Sequence, residues 1–242
     1  MKETFPYLMF DGKSSLDLHM YIVSKGSYRG AQRDVSYQSV PGRNGDLVID
    51  NGRYKNINIP YKMNILDKSP FGWDKLTHLI KGWLLSRPGY LELWDSYDPD
   101  YYRLASYSDE VDIEQQLREV GSVNLKFNCK PFKYSFEGKK MVVLTSSGSI
   151  IYNPEFYNSK PYIKIVGSGT IILSINSNSF TLTDVDGYIE LDSETMNCYK
   201  GLVNENTKMY STTFPELEPG VNNISWTGTV SEVDIIPRWN SL

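Results

Sequence analysis

Histidine and cysteine are both scarce, two of each in a chain of 242 residues. His19 lies in "DLHMY", at an expected strand edge, and His78 falls on the polar side of a helical pattern. Neither has a ligand or triad pattern around it. Imidazole-based acid–base or metal chemistry therefore has little to work with. Cys129 and Cys198 stand far apart at apolar positions of strand-like segments. No disulfide framework and no CxxC zinc site can be built from them, and two buried reduced thiols are expected. HExxH and GxSxG are missing. The "GKS" at Gly12–Ser14 lacks the earlier glycine of a phosphate loop, because Tyr7 stands at that position. No catalytic residue, cofactor or metal is implied, and the chain is not expected to be an enzyme.

Long apolar runs are missing too. No segment approaches the ~20 apolar residues that span a bilayer, and "MKETFPYLMF" meets "DGK" before a secretory apolar run develops. Synthesis in the cytoplasm without membrane insertion is expected. A basic excess is also lacking, since the formal net charge is −4. Through Gly138, 18 Lys+Arg balance 18 Asp+Glu, whereas the remainder has 7 against 11. Nucleic-acid binders present a basic face, so sequence-specific nucleic-acid binding is not expected.

What the chain does have is aromatic and turn residues. There are 18 tyrosines and 13% aromatics, which suit a pleated, half-buried surface and predict a mainly β protein. "YLMFDGKSSLDLHMYIVSKG" reads as strand, Asp11-Gly12 turn, strand. In "SVPGRNGDLVIDNGRYKNINIPY", two Asn-Gly pairs, Asn44-Gly45 and Asn51-Gly52, stand among short apolar runs. Asn-Gly between strands is a strong hairpin signal, so this stretch predicts a three-stranded meander with two turns. Its last strand alternates, with Ile57, Ile59, Tyr61, Met63 and Ile65 on one face. A phosphate cradle needs a strand-to-helix turn, and PGRNG lies between strands.

One helix is predicted from Trp73 to Ser86. Ser69 caps it, Pro70 opens it, and Trp73, Leu76, Ile80, Trp83 and Leu84 form its apolar face. "YLELWDSYDPDYYRLASY" predicts a hairpin, and "EVDIEQQLREV" a strand paired with "GSVNLKFNC". Beyond a junction near residue 138, short strands recur with turns at Gly167-Ser168-Gly169, Asn176-Ser177-Asn178, Asp186-Gly187 and Pro219-Gly220. That spacing is a β-sandwich pattern. Acidic clusters at Asp95, Asp98 and Asp100 and in "DVDGYIELDSE" read as turns rather than calcium loops. Tyr188, Tyr199 and Trp226 sit in alternating strands and are expected in the core.

The fragments "FDGKSSLDLHMYIV", "SVPGRNGDL", "IKGWLLSRPGYLELWDSYDPDYYRLA", "SVNLKFNCKPFKY" and "FPELEPGVNNISWTGTVSEVDIIPRW" run in this order through nearly the whole chain. Together they resemble the distal tail proteins of long, flexible-tailed bacteriophages. The resemblance implies an N-terminal ring-forming domain, residues 1–138, built as a β-sandwich with one α-helix and an extended hairpin. It also implies a C-terminal galectin-like β-sandwich, residues 139–242. Such proteins form a hexameric ring, one or two back to back, at the distal end of the tail of the virion. The ring joins the tail tube protein to the tail-associated hub protein and to receptor-binding or side-fibre proteins, with a lumen for DNA. Interface residues expected on that basis are Pro41, Gly42, Arg43, Asn44, Gly45, Asn51, Gly52 and Arg53. A carbohydrate-binding adhesion module is the alternative, with Tyr188, Tyr199 and Trp226 as its candidate stacking residues.

Overall fold

The computed structural model describes residues 5–26, 30–65, 72–108 and 122–242. Its contacts divide the chain into two units, one up to residue 133 joined by Leu242, the other 134–241. The expected cap at Ser69 and Pro70 and the expected strand in "EVDIEQQLREV" lie outside the described residues.

The first unit runs β1 (Leu8–Phe10), β2 (Lys13–Ser14), β3 (Met20–Lys25), β4 (Arg33–Gln38), β5 (Leu47–Tyr54), β6 (Ile57–Ile65), α1 (Trp73–Leu85), β7 (Leu91–Asp95), β8 (Tyr101–Ser106) and β9 (Ser122–Ser135), whose end crosses into the second unit. The main sheet has the order β2-β1-β7-β8-β9-β6-β3. The Ile22 N–H donates to the Pro6 carbonyl at 2.7 Å, which ties β3 back to the segment entering β1. One curled sheet thus surrounds its own core. β1 and β2 join through Asp11 and Gly12, both at positive φ (51° and 74°), as the Asp-Gly signal predicts.

Alternation in β6 buries Ile59, Tyr61 and Met63. Helix α1 buries Leu76, Ile80, Trp83 and Leu84 in the same cluster, as its three- and four-residue spacing predicts. Trp83 also donates from Nε1 to the Phe10 carbonyl at 2.9 Å. His19 departs from its expected place. It is a left-handed residue (φ 55°) closing a 3-10 turn over Ser15–Leu18.

The second unit contains β10 (Val142–Leu144), β11 (Ser149–Asn153), β12 (Tyr162–Ile175), β13 (Asn178–Val185), β14 (Tyr188–Asp192), β15 (Asn197–Lys200), β16 (Val203–Asn204), β17 (Met209–Tyr210), β18 (Gly220–Ile236) and β19 (Asn240–Ser241). Two expectations are corrected here. Gly167-Ser168-Gly169 is not a turn but a bulge inside one 14-residue strand, β12. A Cβ on Gly167 would lie 2.3 Å from the Thr229 carbonyl oxygen, so glycine permits a close backbone approach rather than a reversal. Asp186-Gly187 is not a hairpin tip, because β13 pairs with β12 and β17, and β14 with β12 and β15. The chain crosses there from one layer to the other. The first half of β12 pairs with β14 and the end of β18, and its second half with β13 and the start of β18. Two strands bent at the same level therefore serve both layers of a sandwich. Asn176-Ser177 does turn the chain between β12 and β13, with Asn176 at φ 52°.

Candidate assembly surface

β4 and β5 form a separate two-stranded sheet. The loop between them opens with a turn in which the Arg43 N–H donates to the Val40 carbonyl at 3.1 Å. Pro41 supplies the fixed φ of the first central position, and Gly42, at φ 80°, the positive φ of the second. Gly45 is also at positive φ (84°). Asn51-Gly52 corrects the meander reading, because it lies inside β5 and no strand reverses there. The register of β4 and β5 shifts between Arg33 and Val35, opposite this pair, and Gly52 (φ 69°) takes up the bulge. Asp50 accepts the Gly52 N–H at 2.9 Å, fixing the bulge locally. An Asp directly before Asn-Gly, inside an apolar run that does not alternate, is the signal that could have shown this.

Pro41, Gly42, Arg43, Asn44, Gly45, Asn51, Gly52 and Arg53 are all exposed. They do not form one cluster. The first five make the tip, and the last three lie along the ribbon. Arg53 is engaged within the chain, donating from Nε to Asp34 at 2.7 Å. That hydrogen bond holds Asp34 below the usual carboxylate range. Asp50 is held low by the Gly52 N–H and then by Arg33, whose guanidinium reaches it at 2.6 Å and donates to the Tyr54 hydroxyl at 2.7 Å. No such partner is recorded for the Arg43 side chain among the described residues. At the ribbon's base, Tyr54 packs edge-on against Phe132 of β9, centroids 5.6 Å apart.

Sequence reasoning missed the apolar side chains of this ribbon. Tyr37, Val40, Leu47, Val48 and Ile49 are all exposed, Tyr37 at 67% and Val48 at 56%. Leu47-Val48-Ile49 are consecutive, so they point to both faces of the ribbon and need cover on both.

The remaining candidates are held by other contacts. Asp95 and Lys25 are buried together, and Asp95 also accepts from the Tyr61 hydroxyl at 2.6 Å. Asp98 pairs with Lys133 at 2.8 Å. Asp192 accepts both guanidinium nitrogens of Arg238, at 2.7 and 3.0 Å. These carboxylates hold structure together. Burial pushes the Cys129 thiol up to about 12 and Cys198 up to about 11, which keeps both thiols protonated near neutral pH. Tyr188, Tyr199 and Trp226 are not core residues as expected but half-buried. Trp226 packs on the edge of the second core. Tyr188 faces outward under the ammonium groups of Lys164 and Lys200, 5.2 and 5.3 Å from its ring. His78 is exposed on α1. No helix among the described residues is long and apolar enough to cross a membrane.

No curated protein matches the sequence. Among solved structures, the chain is similar to the Dit protein of phage SPP1, described as a paradigm of the hub adsorption apparatus in phages that infect Gram-positive hosts. The TM-score is 0.74 at 14% identity, covering 99% of this chain and 100% of that one, so the likeness is one of fold. Residues 11–129 match the family model of the phage tail protein RIFT-related domain, a span that takes in α1, the β4–β5 ribbon and the main sheet apart from β1 and the end of β9.

Proposed function

We propose that this chain is a structural protein of the virion, forming a hexameric ring at the distal end of a phage tail. There the ring joins the tail tube to the tail-tip hub protein and to receptor-binding or side-fibre proteins, and DNA passes through its lumen. The chain is made in the host cytoplasm and its first unit carries the ring contacts. The observation that carries this reading is the free β4–β5 ribbon. A two-stranded sheet alone is marginal in water, and this one leaves Leu47, Val48 and Ile49 exposed. Laid along a neighbouring copy, those residues are covered. A contact of that kind is head-to-tail, and repeated until it closes it makes a ring. The likeness in fold to a tail hub protein over the full chain supports the same reading. The lack of a basic excess suits a lumen that must release DNA rather than retain it.

Within this reading the Pro41–Gly45 tip meets a neighbour, and Arg43 pairs there with a carboxylate. The test is light scattering over a concentration series. The wild type forms hexamers or a monomer–hexamer equilibrium. Arg43→Glu moves the assembly midpoint to at least about tenfold higher concentration while the monomer keeps its melting temperature. A strict monomer at every concentration, still unassembled when mixed with tail proteins, sinks the ring. Unchanged assembly in Arg43→Glu removes Arg43 from the interface.

A further inference from the structure

The second unit has an unprotected sheet edge. Among the described strands β11 pairs only with β18, so its other side offers free backbone groups. Such edges are normally blunted by lysine, proline or a bulge. β11, "SIIYN", has none of these. Its outward side chains, Ile150 and Tyr152, are 61% and 64% exposed, and Val221, opposite Tyr152 on β18, is 56% exposed. Neither Met141–Pro154 nor Gly220–Ser231 contains an Asp, Glu, Lys or Arg.

We propose that two copies of this chain pair antiparallel through β11, about a two-fold axis at Ile151, joining their sheets edge to edge. Two features select a second copy as the occupant. The first is self-complementarity. A two-fold axis at Ile151 sets Ile150 of each copy opposite Tyr152 of the other, giving two aromatic–aliphatic cross-strand pairs of a kind that stabilises sheets. It also places Ile151, inward-facing and 5% exposed, opposite its own counterpart. The second is charge. Residues 139–242 have 7 Lys+Arg against 11 Asp+Glu, so a basic partner is drawn to the acidic faces. A second copy has the same excess and meets least repulsion at this uncharged flank. The contact is independent of the β4–β5 ribbon. If ribbon contacts close a ring, pairing through β11 joins two rings.

The experiment uses the full chain in two single variants, Ile150→Cys and Tyr152→Cys, whose exposed positions leave folding intact. Directly opposed strand residues have Cα atoms about 4.5–5.5 Å apart, within the about 4.4–6.8 Å that a disulfide bridges. Diagonal neighbours are about 7–8 Å apart and out of reach. The native thiols do not compete, since Cys129 and Cys198 are buried. Under mild oxidation an equimolar mixture of the two variants gives a covalent dimer, and either variant alone stays uncrosslinked. No dimer in the mixture, or equal dimer from one variant alone, overturns the proposal.

Discussion

β4–β5 and β12–β18 are both antiparallel ribbons with a register shift at glycine, and they differ in what lies beneath them. In β12–β18 the shift bends two long strands around a core. Ile163, Ile165, Ile171 and Leu173 are all fully buried. In β4–β5 the same device leaves every residue from Ser36 to Arg53 exposed. Ion pairs along it, Arg33–Asp50 and Arg53–Asp34, with Lys55 3.6 Å from the same Asp34, take the place of a core. Such pairs in water contribute little. One ribbon is held by its own unit, while the other leaves its apolar side chains uncovered. The contrast can be tested by damaging each side in turn.

The largest loss is expected where burial does the holding. Trp83→Ala removes an indole from the first core, empties its space and deletes the hydrogen bond from Nε1 to the Phe10 carbonyl. The expected cost is about 3–5 kcal/mol, read from urea denaturation. A loss below about 1 kcal/mol would show that α1 does not seal the sheet. Gly228→Ala strikes the buried ribbon next. Gly228 has φ 97°, and a Cβ there would lie 2.4 Å from the Thr170 carbonyl oxygen. Backbone must shift at the bend of β12 and β18, at an expected cost of about 3 kcal/mol. The matching change in the free ribbon, Gly52→Ala, meets no atom within 4 Å and strains only its own φ. If both substitutions destabilise equally, the bend in β12–β18 is no tighter than the bulge in β4–β5.

These pairs of sites also show what the sequence made legible. Helix α1 and strand β6 were readable because burial on one face imposes a period, and Leu76, Ile80, Ile59 and Met63 repeat with it. Asp11-Gly12 and Asn176-Ser177 were readable as turns because apolar runs on both sides could pair with each other. Asn51-Gly52, Gly167-Ser168-Gly169 and Asp186-Gly187 were misread for one physical reason. Glycine at positive φ serves a turn, a bulge and a layer crossing equally well, and the choice is made by partners distant in sequence. The exposed Val48 and Ile150 were illegible for another reason. An apolar residue left at the surface has the same chemistry as one packed in the core. Only the fold shows which apolar side chains it leaves uncovered.

A smaller, pH-dependent effect separates the units. Burial alone would raise the Asp192 carboxyl, but the Arg238 hydrogen bonds and charge, with the Glu194 and Thr195 N–H groups, hold it below its usual range. A carboxylate lowered by folding stabilises above its unfolded value, about 3.9, and that contribution is lost as pH falls through the folded value. The melting temperature of Asp192→Asn should therefore lie below wild type at pH 7, and the gap should narrow as pH falls below about 3.9. A gap that stays constant with pH would mean the Asp192–Arg238 contact acts through shape rather than charge.

The smallest effect is expected in the free ribbon. Arg33 reaches Asp50 at 2.6 Å and the Tyr54 hydroxyl at 2.7 Å, and its guanidinium lies 4.9 Å from the Tyr54 ring centre. All this is at the surface, with side chains 54% and 45% exposed across the ion pair. Arg33→Ala should leave the melting temperature unchanged, because the ribbon has no core to lose. It should still loosen the ribbon itself, so that amides of β4 and β5 exchange faster in the unassembled chain. Salt should act in the same direction on the wild type, since the screening length falls to about 3 Å at 1 M. Amides of β12 and β18, whose ladder covers the second core, should respond to neither change. If exchange in β4–β5 also ignores both, its own backbone ladder holds it, and the two ribbons differ by burial alone. If exchange slows instead when the ring assembles, the missing surface is a neighbour's.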